Sequence, residues 1–102
     1  MSTFEEEKSE LVKEAEGIIR NLNEKPDYFE LLRAYNRLYT KAIAFVGTHA
    51  TERKREFEQI HENNQLNLSS ERPDITRFKA NFYKQLGTIE GTTDHYPKTF
   101  IS

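Results

Sequence analysis

Three cations follow one another at four-residue intervals in the middle of the chain: Arg33, Arg37 and Lys41. On an α-helix this spacing places all three on one face, where a row of positive charge is suited to phosphate groups. Arg53 and Lys54 add two further cations later in the sequence. One hypothesis is therefore a nucleotide or nucleic-acid binding helical oligomer that uses these five residues.

We call Arg33, Arg37 and Lys41 the basic stripe. The stripe also has a structural interpretation, which we favour. Residues 1–24 carry seven acidic and three basic side chains, whereas residues 25–61 carry five acidic and seven basic ones. Glu7, Glu10 and Glu14 of a first helix would face the stripe across a bundle or a dimer. The net charge of −2 also disfavours nucleic acid as the main partner, because duplex-binding proteins are usually clearly basic.

Catalytic and metal-binding groups do not occur in a recognisable arrangement. The chain has no cysteine, and its four glycines, at positions 17, 47, 87 and 91, form no phosphate-binding loop. Glu58 and His61 have the Glu-x-x-His spacing of helical di-iron proteins, but such sites need a second copy of the motif and two more glutamates. We therefore expect no catalytic residue, no metal site, no cofactor and no enzymatic activity.

The aromatic content of the sequence is more informative about function than its basic residues. The chain has seven Phe and five Tyr but no Trp, and much of this aromatic content falls on helices that are otherwise polar. Tyr is enriched at interfaces because it combines a large apolar body with a polar tip. The pattern favours assembly between subunits as much as an internal core. The predicted interface residues are Tyr28, Tyr35, Tyr39, Phe45, Phe57, Phe78 and Phe82.

The elements that position these residues are predicted to be helices. A capping box at residues 2–6 begins a first helix near Phe4, which is expected to end around residues 21–23. Pro26 and Asp27 form a start signal for the second helix. No strand pattern of any weight is present. The predicted fold class is therefore all-α, a bundle of three or four helices.

The second helix poses a question at Gly47. Apolar residues at mixed three- and four-residue spacing run from Tyr28 to Ile60 without a reset at this glycine. This register predicts one long central helix over residues 27–62, continuous or kinked at Gly47. The alternative is a break at the glycine, with Thr48 or Thr51 as the N-cap of a new helix.

The remainder of the chain is predicted as a linker, a last helix and a tail. Residues 63–74 are rich in turn formers and are interpreted as a linker. Pro73 and Asp74 then begin a last helix that is expected to end at Gly87. We expect a single helical domain over residues 1–88 and an extended C-terminal tail over residues 89–102.

Composition ranks the function classes without choosing a partner. The hydrophobic fraction of 35% is low and the charged fraction of 31% is high, a mixture typical of helices with broad solvated faces that complete their core by oligomerisation. We expect a small binding protein and homo-oligomer, acting on a protein partner as an accessory subunit, inhibitor or regulator. Its size is compatible with a phage or mobile-element protein. The lack of a long apolar run and of a signal segment predicts a cytoplasmic location without membrane contact.

Overall fold

The computed structural model of this chain describes residues 3–24 and 27–93, and α-helices account for most of them. The four helices are α1 (Phe4–Glu24), α2 (Tyr28–His49), α3 (Lys54–Leu68) and α4 (Ile75–Gly91), and a 3-10 turn, Thr51–Arg53, separates α2 from α3. The described residues form no strand. The predicted all-α fold class is confirmed.

Three of the helices begin at the start signals that the sequence predicts, although Asp27 and Asp74 lie at the N-cap and not in the first turn, where the sequence pattern predicts them. Thr3 Oγ1 accepts a hydrogen bond from the backbone N–H three residues later, at 3.1 Å. Asp27 Oδ1 accepts from the N–H groups two and three residues later, at 3.0 and 3.4 Å. Asp74 Oδ1 accepts from the N–H three residues later, at 3.1 Å. Each cap satisfies a backbone donor that the first turn of a helix leaves unpaired.

The helices form an up-down-up-down bundle. Each helix packs against the next one in the chain, and α4 returns to pack against α1. Lys8 Nζ, near the start of α1, donates to the carbonyl of Thr92, just after α4, at 2.9 Å. At the other end, Lys79 Nζ of α4 donates to Asn23 Oδ1 of α1 at 2.7 Å. These two contacts show that α1 and α4 are antiparallel, as bundles with short connections require.

The core runs along the axis of the bundle and draws on every helix. The most fully buried large side chains are Tyr35, Phe45 and Phe78, at 0–1% exposure. Aromatic rings pack edge to face near the middle, where the centroids of Tyr35 and Phe78 are 5.2 Å apart. Such pairs add about 0.5–1.5 kcal/mol to the free energy of burial. The aromatic surplus in the sequence is therefore largely used inside the single chain.

The prediction of one long central helix is wrong. Helix α2 ends at His49, and Ala50, with φ −142° and ψ 57°, leaves helical geometry before the 3-10 turn. Helix α3 then runs back along α2, so that the ring of His61 stacks on that of Tyr39. Gly47 lies inside α2, so the chain does not break or end at the glycine either. The apolar period indicates which residues face inward, but it does not reveal that the stripe is folded back on itself.

Two predicted boundaries also differ from the structure. Helix α3 continues to Leu68, so the linker predicted over residues 63–74 shortens to residues 69–74. Helix α4 continues past Gly87 to Gly91 and buries Ile89, a residue that the sequence pattern assigns to the tail. Both extensions are explained by side chains that find partners in the core, which local turn propensity does not register. Residues 94–102 of the predicted tail lie outside the described residues.

Candidate functional site

A polar network lies inside the bundle, where α2, α3 and α4 meet. The hydroxyl oxygen of Tyr35 is 2.9 Å from Gln85 Oε1, 3.1 Å from Asn64 Nδ2 and 3.2 Å from His61 Nδ1. Tyr35, Asn64 and Gln85 are 1%, 0% and 3% exposed. We call these four residues the core network. Because a buried polar group is costly without a partner, the network favours one register of α3 against its neighbours.

Counting hydrogens fixes the direction of each bond in the core network. Gln85 Nε2 donates to the carbonyl of Phe57 at 3.4 Å, so its Oε1 is the acceptor for the Tyr35 hydroxyl. That hydroxyl has one proton to donate, so Asn64 Nδ2 and His61 Nδ1 must donate to its two lone pairs. The neutral His61 ring therefore carries its hydrogen on Nδ1. Its Nε2 is the nitrogen that can take up a further proton.

Burial controls the protonation of the core network. It raises the pKa of Tyr35 to about 12, because the tyrosinate anion would lose its hydration, and the hydrogen bond from Asn64 opposes this only in part. Burial likewise lowers the pKa of His61, because the imidazolium cation is penalised, while nearby Glu62 acts in the opposite direction. The ring of His61 stacks on that of Tyr39, with the centroids 3.5 Å apart. Around neutral pH the network is therefore uncharged.

The basic stripe is divided among different partners. Lys41 Nζ lies 3.1 Å from Glu14 Oε2 of α1, which is a contact of the kind that the structural interpretation of the stripe predicts. Arg33 lies 3.7 Å from Glu30 of its own helix, in an exposed pair. Arg37 is exposed and makes no ion pair with another described residue. Two of the three cations of the stripe thus face carboxylates, and only the contact of Lys41 with Glu14 joins two helices.

Arg53 and Lys54 lie elsewhere, at the end of the 3-10 turn and at the start of α3, and both are exposed. The Lys54 side chain covers Gly47, where an added methyl group would be 3.5 Å from Lys54 Cδ. At 1.5 Å per residue, this turn is about 30 Å along α2 from Arg33. The structure therefore does not gather the five predicted cations into one site.

Most of the predicted interface aromatics belong to the core of the single chain. Five of the seven are at most 2% exposed: Tyr35, Phe45, Phe57, Phe78 and Phe82. Tyr39 is half-buried, and Tyr28 is 43% exposed. A partner cannot reach the five buried rings in the folded chain. Within the single chain these five rings lie in the core, and a partner that binds the folded surface can reach only Tyr28 and Tyr39 among the predicted interface residues.

A cleft of about 540 Å³ opens between the last turns of α1 and the first turns of α2. It has an apolar floor and a polar, mostly acidic rim. The floor residues are Ile18, Leu22, Leu31 and Ala34, and the rim residues are Asn21, Glu24, Asp27 and Glu30. We call these eight residues the α1/α2 cleft.

Exposed apolar side chains adjoin the α1/α2 cleft. Tyr28 and Phe29, in the first turn of α2, are 43% and 69% exposed, and they stand in the chain between the rim residues Asp27 and Glu30. Leu66, 74% exposed, lies near the end of α3 at the same end of the bundle. A lone exposed apolar side chain needs no explanation, whereas Tyr28 and Phe29 are neighbours in the chain and directly follow the rim residue Asp27.

Neither the core network nor the α1/α2 cleft is identified by the sequence reasoning. A signal for the network is present, because Asn64 follows Phe57 by seven residues and Gln85 follows Phe82 by three. Both polar residues therefore continue the apolar stripe of their helix, and a polar residue in that position indicates a buried partner. The cleft has no such signal, since its walls come from two helices whose spacing is set by packing.

The described residues contain no group of three or more His, Cys, Asp or Glu side chains placed to hold a metal ion. None of the helices in the described ranges is both long and apolar enough to cross a membrane. No protein-family model, characterised protein or solved structure matches the chain.

Proposed function

We propose that this protein is a non-enzymatic regulator or inhibitor that binds a segment of a partner protein in the α1/α2 cleft. The observation that supports the proposal is the combination of an apolar floor, an acidic rim and two exposed aromatic side chains at one end of the bundle. Binding sites generally combine apolar walls with a few polar groups that orient the ligand. The chemistry of the cleft specifies what kind of segment fits.

The floor of the cleft calls for an apolar anchor. Ile18, Leu22 and Leu31 are 3%, 7% and 6% exposed, because the core holds their side chains in place from behind. The walls are thus formed before a partner arrives, which lowers the entropy cost of binding. A Leu, Ile or Phe side chain that enters the cleft gains about 25 cal/mol for each Å² of apolar surface removed from water.

The acidic rim of the cleft favours a partner segment that carries positive charge next to its apolar anchor. Glu24, Asp27 and Glu30 place carboxylates around the opening. The exposed pair between Arg33 and Glu30, at 3.7 Å, compensates little of this charge, because surface ion pairs are screened by water. Helix α1 has no basic residue in its last turn, so its C-terminal dipole adds negative potential, whereas the N-terminal dipole of α2 offsets part of the charge of Asp27. The proposed occupant is a segment with an apolar anchor flanked by Lys or Arg.

A nucleic-acid binding function has weaker support. The carboxylates of the rim repel phosphate, and Lys41 is occupied by Glu14 at 3.1 Å. Arg53 and Lys54 lie near the far end of α2 and add nothing to the charge at the stripe. Nucleic acid is therefore the weaker candidate for the ligand of this protein.

The proposal is tested by photocrosslinking from inside the cleft. A photoreactive phenylalanine analogue replaces Asn21, an exposed rim residue, and the protein is irradiated in cells that produce it naturally. We expect one predominant protein adduct whose crosslinked peptide contains an apolar residue next to Lys or Arg. Reversal of rim charge with Glu24→Lys and Glu30→Lys is expected to reduce the adduct at least tenfold, because the partner's cations would then be repelled.

The matched control places the same analogue at Thr40, an exposed position on α2 outside the cleft. We expect no predominant adduct from this position. Equal adducts from both positions, an adduct that survives charge reversal, or an adduct with nucleic acid would each overturn the proposal.

A further inference from the structure

The connection between α2 and α3 is short, since only residues 50–53 separate the two helices, and it has few features that enforce it. The chain leaves α2 at Ala50 and passes through the 3-10 turn Thr51–Arg53 into α3, and we call residues 50–53 the α2/α3 turn. Ala50 departs furthest from helical geometry, with φ −142° and ψ 57°. By Lys54, with φ −57° and ψ −47°, the chain is helical again. One residue therefore accounts for most of the break.

The usual stop and start signals are missing at the α2/α3 turn. It contains no proline or glycine, and no described residue of the chain has positive φ. Neither the 3-10 turn nor α3 has a side-chain hydrogen bond at its N-cap. The starts of α2 and α4, by contrast, each have a proline directly before a capping Asp, namely Asp27 and Asp74. Local sequence therefore enforces those two helix starts but not the break at residue 50.

The apolar pattern continues through the same turn. Tyr35, Ala42 and Val46 are buried on α2, and Phe57 is buried on α3. Their separations of seven, four and eleven residues all fit one helical stripe. If Ala50 took helical angles, α2 and α3 would form a single helix over residues 28–68, roughly 60 Å long, with both apolar faces on one side.

We propose that this chain exchanges its α3–α4 half with a second copy, and that α2 and α3 join into one helix in the exchanged dimer. In each half of that dimer, α1 and α2 of one chain would pack against α3 and α4 of the other. The partner surface is thus the one that the chain already buries within itself.

The contacts that hold the two halves together are re-formed between chains. They include the hydrogen bond from Tyr35 to Gln85 at 2.9 Å and the hydrogen bond from Lys8 to the Thr92 carbonyl at 2.9 Å. The monomer and the exchanged dimer therefore differ in only two respects. These are the conformation of the α2/α3 turn and the entropy cost of joining two chains. Short hinges between well-packed halves are a recognised cause of such exchange. The dimer is favoured when the protein refolds at high concentration.

The test distinguishes an exchanged dimer from a surface dimer by crosslinking across the α2–α3 contact. Gln65 Nε2 donates a hydrogen bond to Asn36 Oδ1, and the chain has no cysteine of its own. The variant Asn36→Cys with Gln65→Cys is refolded from denaturant at millimolar concentration, separated by size, and treated with a short bis-maleimide. We expect the crosslink within one chain in the monomer and between two chains in the dimer.

Two variants of the α2/α3 turn, which we call the hinge variants, test whether α2 and α3 join into one helix in the dimer. Thr51→Pro suits the first position of the existing turn and disfavours helical angles at Ala50, which is already non-helical with φ −142° and ψ 57°. Inside a continuous helix, a proline is disfavoured about a hundredfold, which gives on the order of 10⁴-fold weaker dimerisation for the two helices of a dimer. Inserting Gly-Gly-Ser-Gly between Ala50 and Thr51 is expected to abolish the dimer as well, and it keeps the test valid if the proline variant fails to fold.

The matched control is the same insertion between Glu71 and Arg72, two exposed residues of the loop that joins α3 to α4. It should leave the dimer in place, because that loop has the same form in both states. The proposal fails if refolding at millimolar concentration yields only monomer, if the crosslink in the dimer stays within one chain, or if the dimer persists in both hinge variants.

Discussion

At the scale of single residues, Tyr35 is held by three side-chain hydrogen-bond partners inside the bundle. Its hydroxyl group donates to Gln85 Oε1 and accepts from Asn64 and His61. No buried side-chain N or O atom in the described part of the chain lacks a partner. A fully satisfied buried network is stable, but loss of one member leaves the others without partners.

The variant Tyr35→Phe tests the energetic role of this hydroxyl group. We expect the free energy of unfolding to fall by about 1–3 kcal/mol, because Asn64 and Gln85 would each lose a hydrogen-bond partner while buried. Urea unfolding followed by circular dichroism measures the change. Tyr39→Phe is the control, since the Tyr39 hydroxyl makes no hydrogen bond with another described residue and its ring is half-buried. A loss as large from Tyr39→Phe would contradict the assignment.

At the scale of elements, Gly47 is an ordinary interior position of α2. Its φ angle is not positive, and the chain breaks three residues later, at Ala50. A methyl group added at Gly47 would meet the flexible Lys54 side chain at 3.5 Å, which is a normal contact distance. The glycine is therefore neither a required turn nor a point where two backbones pack closely. It lowers the helix propensity of α2 without a visible structural need.

Gly47→Ala is therefore expected to stabilise the protein. An alanine inside a helix is favoured over glycine by about 0.5–1 kcal/mol, because glycine loses more backbone freedom on folding. Thermal unfolding should show a midpoint several degrees higher than that of the natural protein. A lower midpoint would mean that Gly47 is a close-packing point after all.

At the scale of the whole molecule, the core network makes the free energy of unfolding depend on pH. One decline is expected on the acidic side and another on the alkaline side. Burial lowers the pKa of His61, so the unfolded chain binds the proton more readily than the folded one. The contribution of His61 to stability is present above its usual pKa near 6.5 and is lost as pH falls through the lowered value. Burial raises the pKa of Tyr35 to about 12, so its contribution is present below pH 10 and is lost between pH 10 and about 12.

The expected result is a stability plateau between about pH 7 and pH 10 with a decline on each side. Urea midpoints measured from pH 5 to pH 12 record both limbs. His61→Gln keeps a side-chain donor but does not titrate, so it should flatten the decline between pH 7 and pH 5 relative to the natural protein. If both proteins lose stability equally over that interval, His61 is not the group responsible.

Local signals in the sequence determine that the chain is helical and where three of its helices start. Asp27 and Asp74 each accept a hydrogen bond from a backbone N–H group two or three residues later. Both helix starts can therefore be predicted from the local sequence. The contact between Lys41 and Glu14 was also accessible, because opposite charges on two amphipathic helices indicate a pairing. These predictions succeed because each depends on short-range geometry or on a simple complementarity of charge.

The tertiary structure alone decides the path of the chain and the use of its side chains. The Tyr35 hydroxyl donates a hydrogen bond to Gln85, which is fifty residues away in the sequence. This contact places Tyr35 in the core, whereas the sequence pattern is also compatible with a position at an interface. The fold-back at Ala50 is likewise set by the packing of α3 on α2 and α4, since the break lacks the proline, glycine and cap that mark other turns. Periodicity selects the buried face, but the free energy of long-range packing decides what that face is buried against.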